Sequence, residues 1–232
     1  MVKEVVSSGR IAVNLGGDHS VAVGTVDGHS RGTDKRVSLL WVDAHADLNT
    51  SSSSPSGNAH GMPVSLLVKE LEEDWPDTPA MEWQRPRLLI NNVGFIGLRD
   101  LDPYEREVLK RFNVAAYGME EVDRYGIVEV TKMALNRINP DGVNALHLSF
   151  DVDSLDIHEA PCTGTPVRGG LSLREAMQVM EIVRDTGTLS ALDVVEINPL
   201  LGNDRQAETT VRAAVHVIKT LFGRCRFDSA PS

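Results

Sequence analysis

A three-layer α/β/α fold around a mainly parallel sheet is what these 232 residues predict, and three observations predict it. Short β-branched apolar runs recur along the chain. Most are followed by a stretch of helical periodicity, and the least ordinary polar residues stand immediately after the runs. Strands buried on both faces read as continuous apolar segments, and their alternation with helices is the pattern of a parallel sheet covered on both sides.

The elements follow in order. Ile11 to Leu15 reads as the first strand, and Ser20 to His29 as the helix after it. Val37 to Val42 is the second strand, with a helix over Pro63 to Glu72. Trp75 to Arg87 carries four charged residues and three prolines, which suits a surface connection better than a domain boundary. Val93 to Ile96 then leads to a helix over Pro103 to Phe112, and Val114 to Tyr117 to one over Val122 to Ile138. Ala145 to Phe150 precedes a helix over Leu173 to Asp185, and Leu189 to Ile197 one over Gln206 to Phe222. No internal repeat appears, and the serine run at 51–54 is too short to be low complexity, so residues 1–232 read as a single domain.

Composition narrows the function. A net charge of −10 disfavours a nucleic-acid surface and mildly favours a small cationic or neutral partner. No apolar run is long enough to span a membrane, and the opening MVKEVVSSGR resembles neither a secretory nor a transit segment, which points to the cytoplasm. Cys162 and Cys225 lack metal spacing and read as ordinary thiols.

In open parallel sheets ligands bind beyond the carboxyl ends of the strands, so chemistry is sought there. Gly16-Gly17-Asp18-His19 follows the first run, DAHAD (residues 43–47) the second and Asp151-Val152-Asp153 the fifth, while Glu196 ends the sixth. Side chains two apart in extended backbone share a face, so Asp43, His45 and Asp47 can converge. Four carboxylates brought together, Asp43, Asp47, Asp151 and Asp153, would repel one another unless a cation neutralised them. With His19 and His45 they form an oxygen-rich, nitrogen-supplemented set suited to two Mn²⁺-like ions, which at a separation of about 3.5 to 4 Å share one activated water.

The blocks GGDHS, VDAHADLNT, SGNAHG, SFDVDSLD, TGTP and DVVEINP together resemble the ureohydrolase family, and within it the arginases, in order from Gly16 to about Arg226. The resemblance implies an arginase/deacetylase-like fold, two Mn²⁺ ions per subunit, and hydrolysis of L-arginine to L-ornithine and urea. It places His19, Asp43, Asp47 and Asp151 on one ion and Asp43, His45, Asp151 and Asp153 on the other, with Asp43 and Asp151 bridging. Glu196 would face the substrate guanidinium, His60 would shuttle protons, and Asp47 would take a proton during attack. Asn49, Ser54 and Ser56 would receive the substrate carboxylate, Asp102 and Glu105 its ammonium, and Thr165 would lie nearby. Arg174, Glu175 and Arg226 match positions that join subunits in trimers, implying a homotrimer.

The sequence also departs from that pattern. It looks short at its N-terminus by a strand–helix segment, which would leave Ile11 to Leu15 at a sheet edge, and a proline expected after SLD is replaced by Ile157, which would loosen the loop behind the second ion. His29, His147, His158 and His216 match no family site. An agmatinase-like ureohydrolase and a non-catalytic binding homologue are the competing functions.

Overall fold

The computed structural model describes residues 1–75 and 83–223. Arg226, Cys225 and residues 76–82 of the expected surface connection lie outside the described residues. Six parallel strands form one sheet among them: β1 (Ala12–Leu15), β2 (Val37–Val42), β3 (Val93–Leu98), β4 (Ala115–Gly118), β5 (Ala145–Asp151) and β6 (Leu189–Val195), in the order β1-β6-β5-β2-β3-β4. The helices are α1 (Val2–Ser7), α2 (Ala22–Gly32), α3 (Pro63–Leu67), α4 (Pro103–Arg111), α5 (Met119–Tyr125), α6 (Ile127–Ile138), α7 (Leu173–Asp185) and α8 (Asp204–Leu221).

The three layers follow from the period-two alternation of buried strands. In β2, where all six residues are buried, Leu40 and Val42 join the apolar core shared with α5 to α8, while Val37, Leu39 and Trp41 join the core beneath α2, α3 and α4. A third, smaller cluster packs Val6 of α1 against Ala12 and Ala191. Among the described residues β1 pairs only with β6, and Val13 and Leu15 are exposed, so the expected edge position is observed.

Several expected elements change shape. The chain after β1 first makes a 3₁₀ turn at His19–Val21, and α2 begins only at Ala22. The helix expected over Pro63 to Glu72 breaks at Val68, which is extended, and continues as a 3₁₀ turn over Lys69–Asp74. Gly126, at φ 78°, divides the helix expected over Val122 to Ile138 into α5 and α6, a conformation that glycine adopts without a Cβ penalty. β6 stops at Val195 because Glu196 turns to φ 63°. The short α1 was not legible in the pattern. No helix of the described residues is long and apolar enough to cross a membrane.

Candidate metal centre and substrate cleft

The chain after β2 leads to β3 on one side, while the chain after β5 leads to β6 on the other. Between these two central neighbours the connections therefore part, and a crevice opens at the carboxyl ends. It is a cavity of about 250 Å³, lined by every site residue named from the sequence except Asp43, which lies beneath it. Asn58, Gly61 and Asp100 line it as well.

The convergence of ligands is not that of an extended strand. β2 ends at Val42, and the Asp43 side chain accepts the backbone N–H of His45 at 2.7 Å. The Asp151 side chain accepts that of Asp153 at the same distance. Two Asx turns thus repeat at the ends of adjacent strands, and they bring His45, Asp151 and Asp153 to the crevice and Asp43 beneath it. Asp47 returns to the same point through a left-handed backbone, φ 51°, with its carbonyl held by the N–H of Val64 at 3.0 Å. Non-glycine residues in this region persist only where surrounding structure imposes them, and both Asp47 and Glu196 lie in the cleft.

His19 Nδ1 lies 2.9 Å from Asp43 Oδ2, 3.4 Å from Asp47 Oδ2 and 3.1 Å from Asp151 Oδ2. His45 Nδ1 lies 3.3 Å from Asp43 Oδ1 and 3.1 Å from Asp153 Oδ2. The donor atoms of His19, Asp43 and Asp47, and those of Asp43, His45 and Asp153, each gather within 4.8 Å, with Asp43 common to both groups. Although close, His19 Nδ1 and Asp43 Oδ2 are buried without a hydrogen bond of acceptable geometry. Buried polar atoms are almost always satisfied, so two that point at a shared space without bonding fit a cation between them.

The electrostatics agree. Burial and the neighbouring Asp43 push Asp47 well above the ordinary carboxyl range, and burial with Asp153 and Asp43 does the same to Asp151. Burial and Asp43 raise Asp153. Against the opposing effect of burial, Asp153 and Asp43 push His45 up to about 12. A site this strained by its own charge would be relieved by a bound cation, and its oxygen and imidazole donors fit a divalent metal ion.

At the lip, Glu196 Oε1 accepts the backbone N–H of His19 at 2.8 Å and lies 3.0 Å from His60 Nδ1. The hydrogen bond to Glu196 raises the His60 pKa. At the mouth, Asn49 Nδ2 donates to Asp102 Oδ2 at 2.8 Å, and the Asn49 amide oxygen accepts from Ser53. Glu105 is buried at the third position of α4, where its oxygens accept the backbone N–H groups of Leu48 and Asp102. It therefore ties the loop carrying Asn49 to Asp102. Thr165 Oγ1 donates to Asp153 Oδ2 at 3.2 Å.

Arg99, which the motif reading passed over, donates to the carbonyls of Gly97, Asp153, Ser154, Leu155 and Val167 and so braces the Asp153 turn. A side chain at Gly170 would collide with it, since an added Cβ would sit 2.6 Å from Arg99 Nη2. The only signal was an arginine just past a strand end. In the loop expected to loosen without its proline, the Asp156 carboxylate accepts the N–H groups of His158 and Gly169, at 3.0 and 2.8 Å. His158 and His216 are exposed, and Glu175 caps α7 with Ser172 while Arg174 is exposed.

The comparisons with known proteins decide the family. A model of the arginase family matches residues 1–223. The chain belongs to the arginase family. As a member it is a hydrolase, as the resemblance implied. It is 49% identical to an arginase of Schizosaccharomyces pombe over 97% of this chain and 68% of that protein, and 45% identical to a hepatic arginase of Aquarana catesbeiana over 97% and 70%. The solved native structure of the Bacillus caldovelox arginase superposes with a TM-score of 0.87 at 35% identity, covering 97% of this chain and 73% of that one. The chain spans about two thirds of the length of these curated relatives.

Proposed function

We propose that this chain hydrolyses L-arginine to L-ornithine and urea at a binuclear manganese centre held by His19, Asp43, His45, Asp47, Asp151 and Asp153. The observation that carries the reading is the meeting of two ligand groups on Asp43 at a cavity that Glu196 and His60 also line. Two Mn²⁺ ions held by these residues would supply positive charge and lower the pKa of water.

The chain's own residues account for the rest. Glu196, with Oε1 already engaged, presents its remaining oxygen to the planar, forked guanidinium. Asp47 accepts the proton that the attacking water gives up as the bond to the guanidinium carbon forms. His60, whose contact with Glu196 favours the protonated ring and which is partly open to solvent, delivers a proton to the departing side-chain nitrogen of ornithine as the carbon–nitrogen bond breaks, and the hydroxyl proton left on the carbon passes to solvent as the urea carbonyl forms. At the mouth, Asp102 receives the α-ammonium, and Asn49, Ser54 and Ser56 the α-carboxylate. Glu105 and Thr165 act by holding Asp102 and Asp153.

Agmatine carries the same guanidinium without the carboxylate, so it separates the arginase reading from the agmatinase one. The test is urea release by the purified, Mn²⁺-loaded chain from each substrate. Arginine is expected to be strongly preferred. Equal kcat/KM would favour the agmatinase reading, and no urea from either would favour the non-catalytic one.

A further inference from the structure

Behind His19 runs a chain of buried and half-buried polar side chains that none of these steps uses. The His19 ring stacks on Trp41 at 3.7 Å, and while Nδ1 faces the carboxylates, Nε2 lies 2.8 Å from Ser149 Oγ. Beyond Ser149 stands Asp193, fully buried within β6. Its Oδ2 is 2.7 Å from Thr25 Oγ1, 2.9 Å from His147 Nε2 and 3.5 Å from Ser149 Oγ, and its Oδ1 accepts from Asn14 Nδ2 at 2.7 Å. His147 Nδ1 in turn lies 3.1 Å from His29 Nδ1, and His29 Nε2 lies 2.8 Å from Ser190 Oγ. Four elements, β1, α2, β5 and β6, therefore contribute to one connected network.

The Asp193 carboxylate orients the hydrogens around it. Burial would raise the Asp193 pKa, but the facing His147 with the donors Thr25 and Asn14 outweighs burial and holds it below the ordinary range, so the group is a carboxylate. A carboxylate only accepts, so His147 Nε2, Thr25 and Ser149 all direct hydrogens at it. At 3.5 Å the Ser149 contact is long for an O–H···O bond, and its effect is to aim the hydroxyl rather than to bind it tightly. With its hydrogen turned toward Asp193, Ser149 presents its oxygen to His19 Nε2 as an acceptor. His19 then carries hydrogen on Nε2 and keeps the Nδ1 lone pair for the crevice. Without the carboxylate, the hydroxyl would be free to donate to Nε2 and select the opposite tautomer, which cannot ligate through Nδ1.

We propose that Asp193 is a positioning residue for the His19 half of the metal centre, acting through Ser149 to fix the His19 tautomer, with His147, Thr25 and Asn14 holding its carboxylate in place. The inference rests on the metal-centre reading of the preceding section. It predicts that the network affects one ion and spares the other, because His45 lies outside it.

The experiment is a Mn²⁺ titration of the metal-stripped full chain, with free Mn²⁺ followed by electron paramagnetic resonance. Asp193→Asn and Ser149→Ala are each expected to weaken one of the two binding constants by about 10- to 100-fold and leave the other unchanged. The double variant is expected to bind no more weakly than Ser149→Ala alone. Thr25→Val, which leaves the Asp193 charge in place, is expected to weaken the same constant by a smaller factor, and it carries the test if Asp193→Asn does not fold. Unchanged constants in Ser149→Ala, additive losses in the double variant, or equal weakening of both constants would overturn the proposal. A wild-type chain that binds no Mn²⁺ would overturn the metal-centre reading itself, and the inference with it.

Discussion

At the floor of the cleft, Asp43, Asp151 and Asp153 stand at the ends of β2 and β5 almost wholly buried, whereas Ser56, Asn58 and Asp100 at its mouth stand on loops open to solvent. The floor is anchored by the sheet and its two Asx turns. The mouth is held by a few side-chain bonds, chiefly those of Glu105 and Asn49. A single lost group at the floor leaves other charges buried and uncompensated, while one at the mouth is replaced by water. The chemistry of the family should therefore reside in the floor, and the choice among guanidines in the mouth.

That contrast can be broken in order of expected effect. Asp151→Ala, on the floor 3.1 Å from His19, is expected to reduce urea release to the level of the chelator-treated chain, and Mn²⁺ should no longer raise its Tm. Retention of Mn²⁺-dependent stabilisation in a calorimetric scan would show the ligand set to be wrong. His60→Ala, at the lip, is expected to lower kcat by about 10²- to 10⁴-fold with Mn²⁺ content unchanged, read by steady-state kinetics and metal analysis.

The same lip gives a pH dependence. Because Glu196 raises the His60 pKa, the ring stays protonated at pH values where a free imidazole has lost its proton, and donation fails only as pH rises through the raised value. Glu196→Gln is therefore expected to move the His60 titration, followed by NMR of its ring, to lower pH. A titration that stays in place would separate the two residues.

The mouth should respond more weakly. Asp102→Ala is expected to cost about 1.5 to 3 kcal/mol of arginine binding, seen as a raised KM for arginine with a smaller rise for agmatine. Ser56→Ala, with an exposed hydroxyl, is expected to change kcat/KM by less than about 1 kcal/mol equivalent. If Ser56→Ala proved as damaging as His60→Ala, the division into floor and mouth would fall.

Much of this was legible in the order of residues. Strand–helix alternation foretold the layered sheet, and carboxylates and imidazoles directly after apolar runs foretold the rim at which they gather. Such signals depend on neighbours a few positions apart, which the chain itself specifies. Turn chemistry was less legible: DAHAD suggested an extended alternation, and only the backbone revealed that Asp43 and Asp151 fold back on the N–H two residues ahead. The break at Gly126 was similarly hidden, because a glycine inside a periodic stretch is compatible with a continuous helix.

What the sequence determined by itself was the identity of the reactive groups and their attachment to strand ends. Only the tertiary structure decided which of them touch. His60 and Glu196 are separated by 136 positions, His19 and Ser149 by 130, and Asn49 and Asp102 by 53. The order β1-β6-β5-β2-β3-β4 brings these segments together, and it sets Asp193 behind His19 although nothing in the local pattern of β6 marks that residue as more than a buried acid. The reason is physical: local periodicity is specified by backbone geometry over a few residues, whereas contacts between distant side chains depend on which strands pair, and that is settled by burying two apolar faces at once.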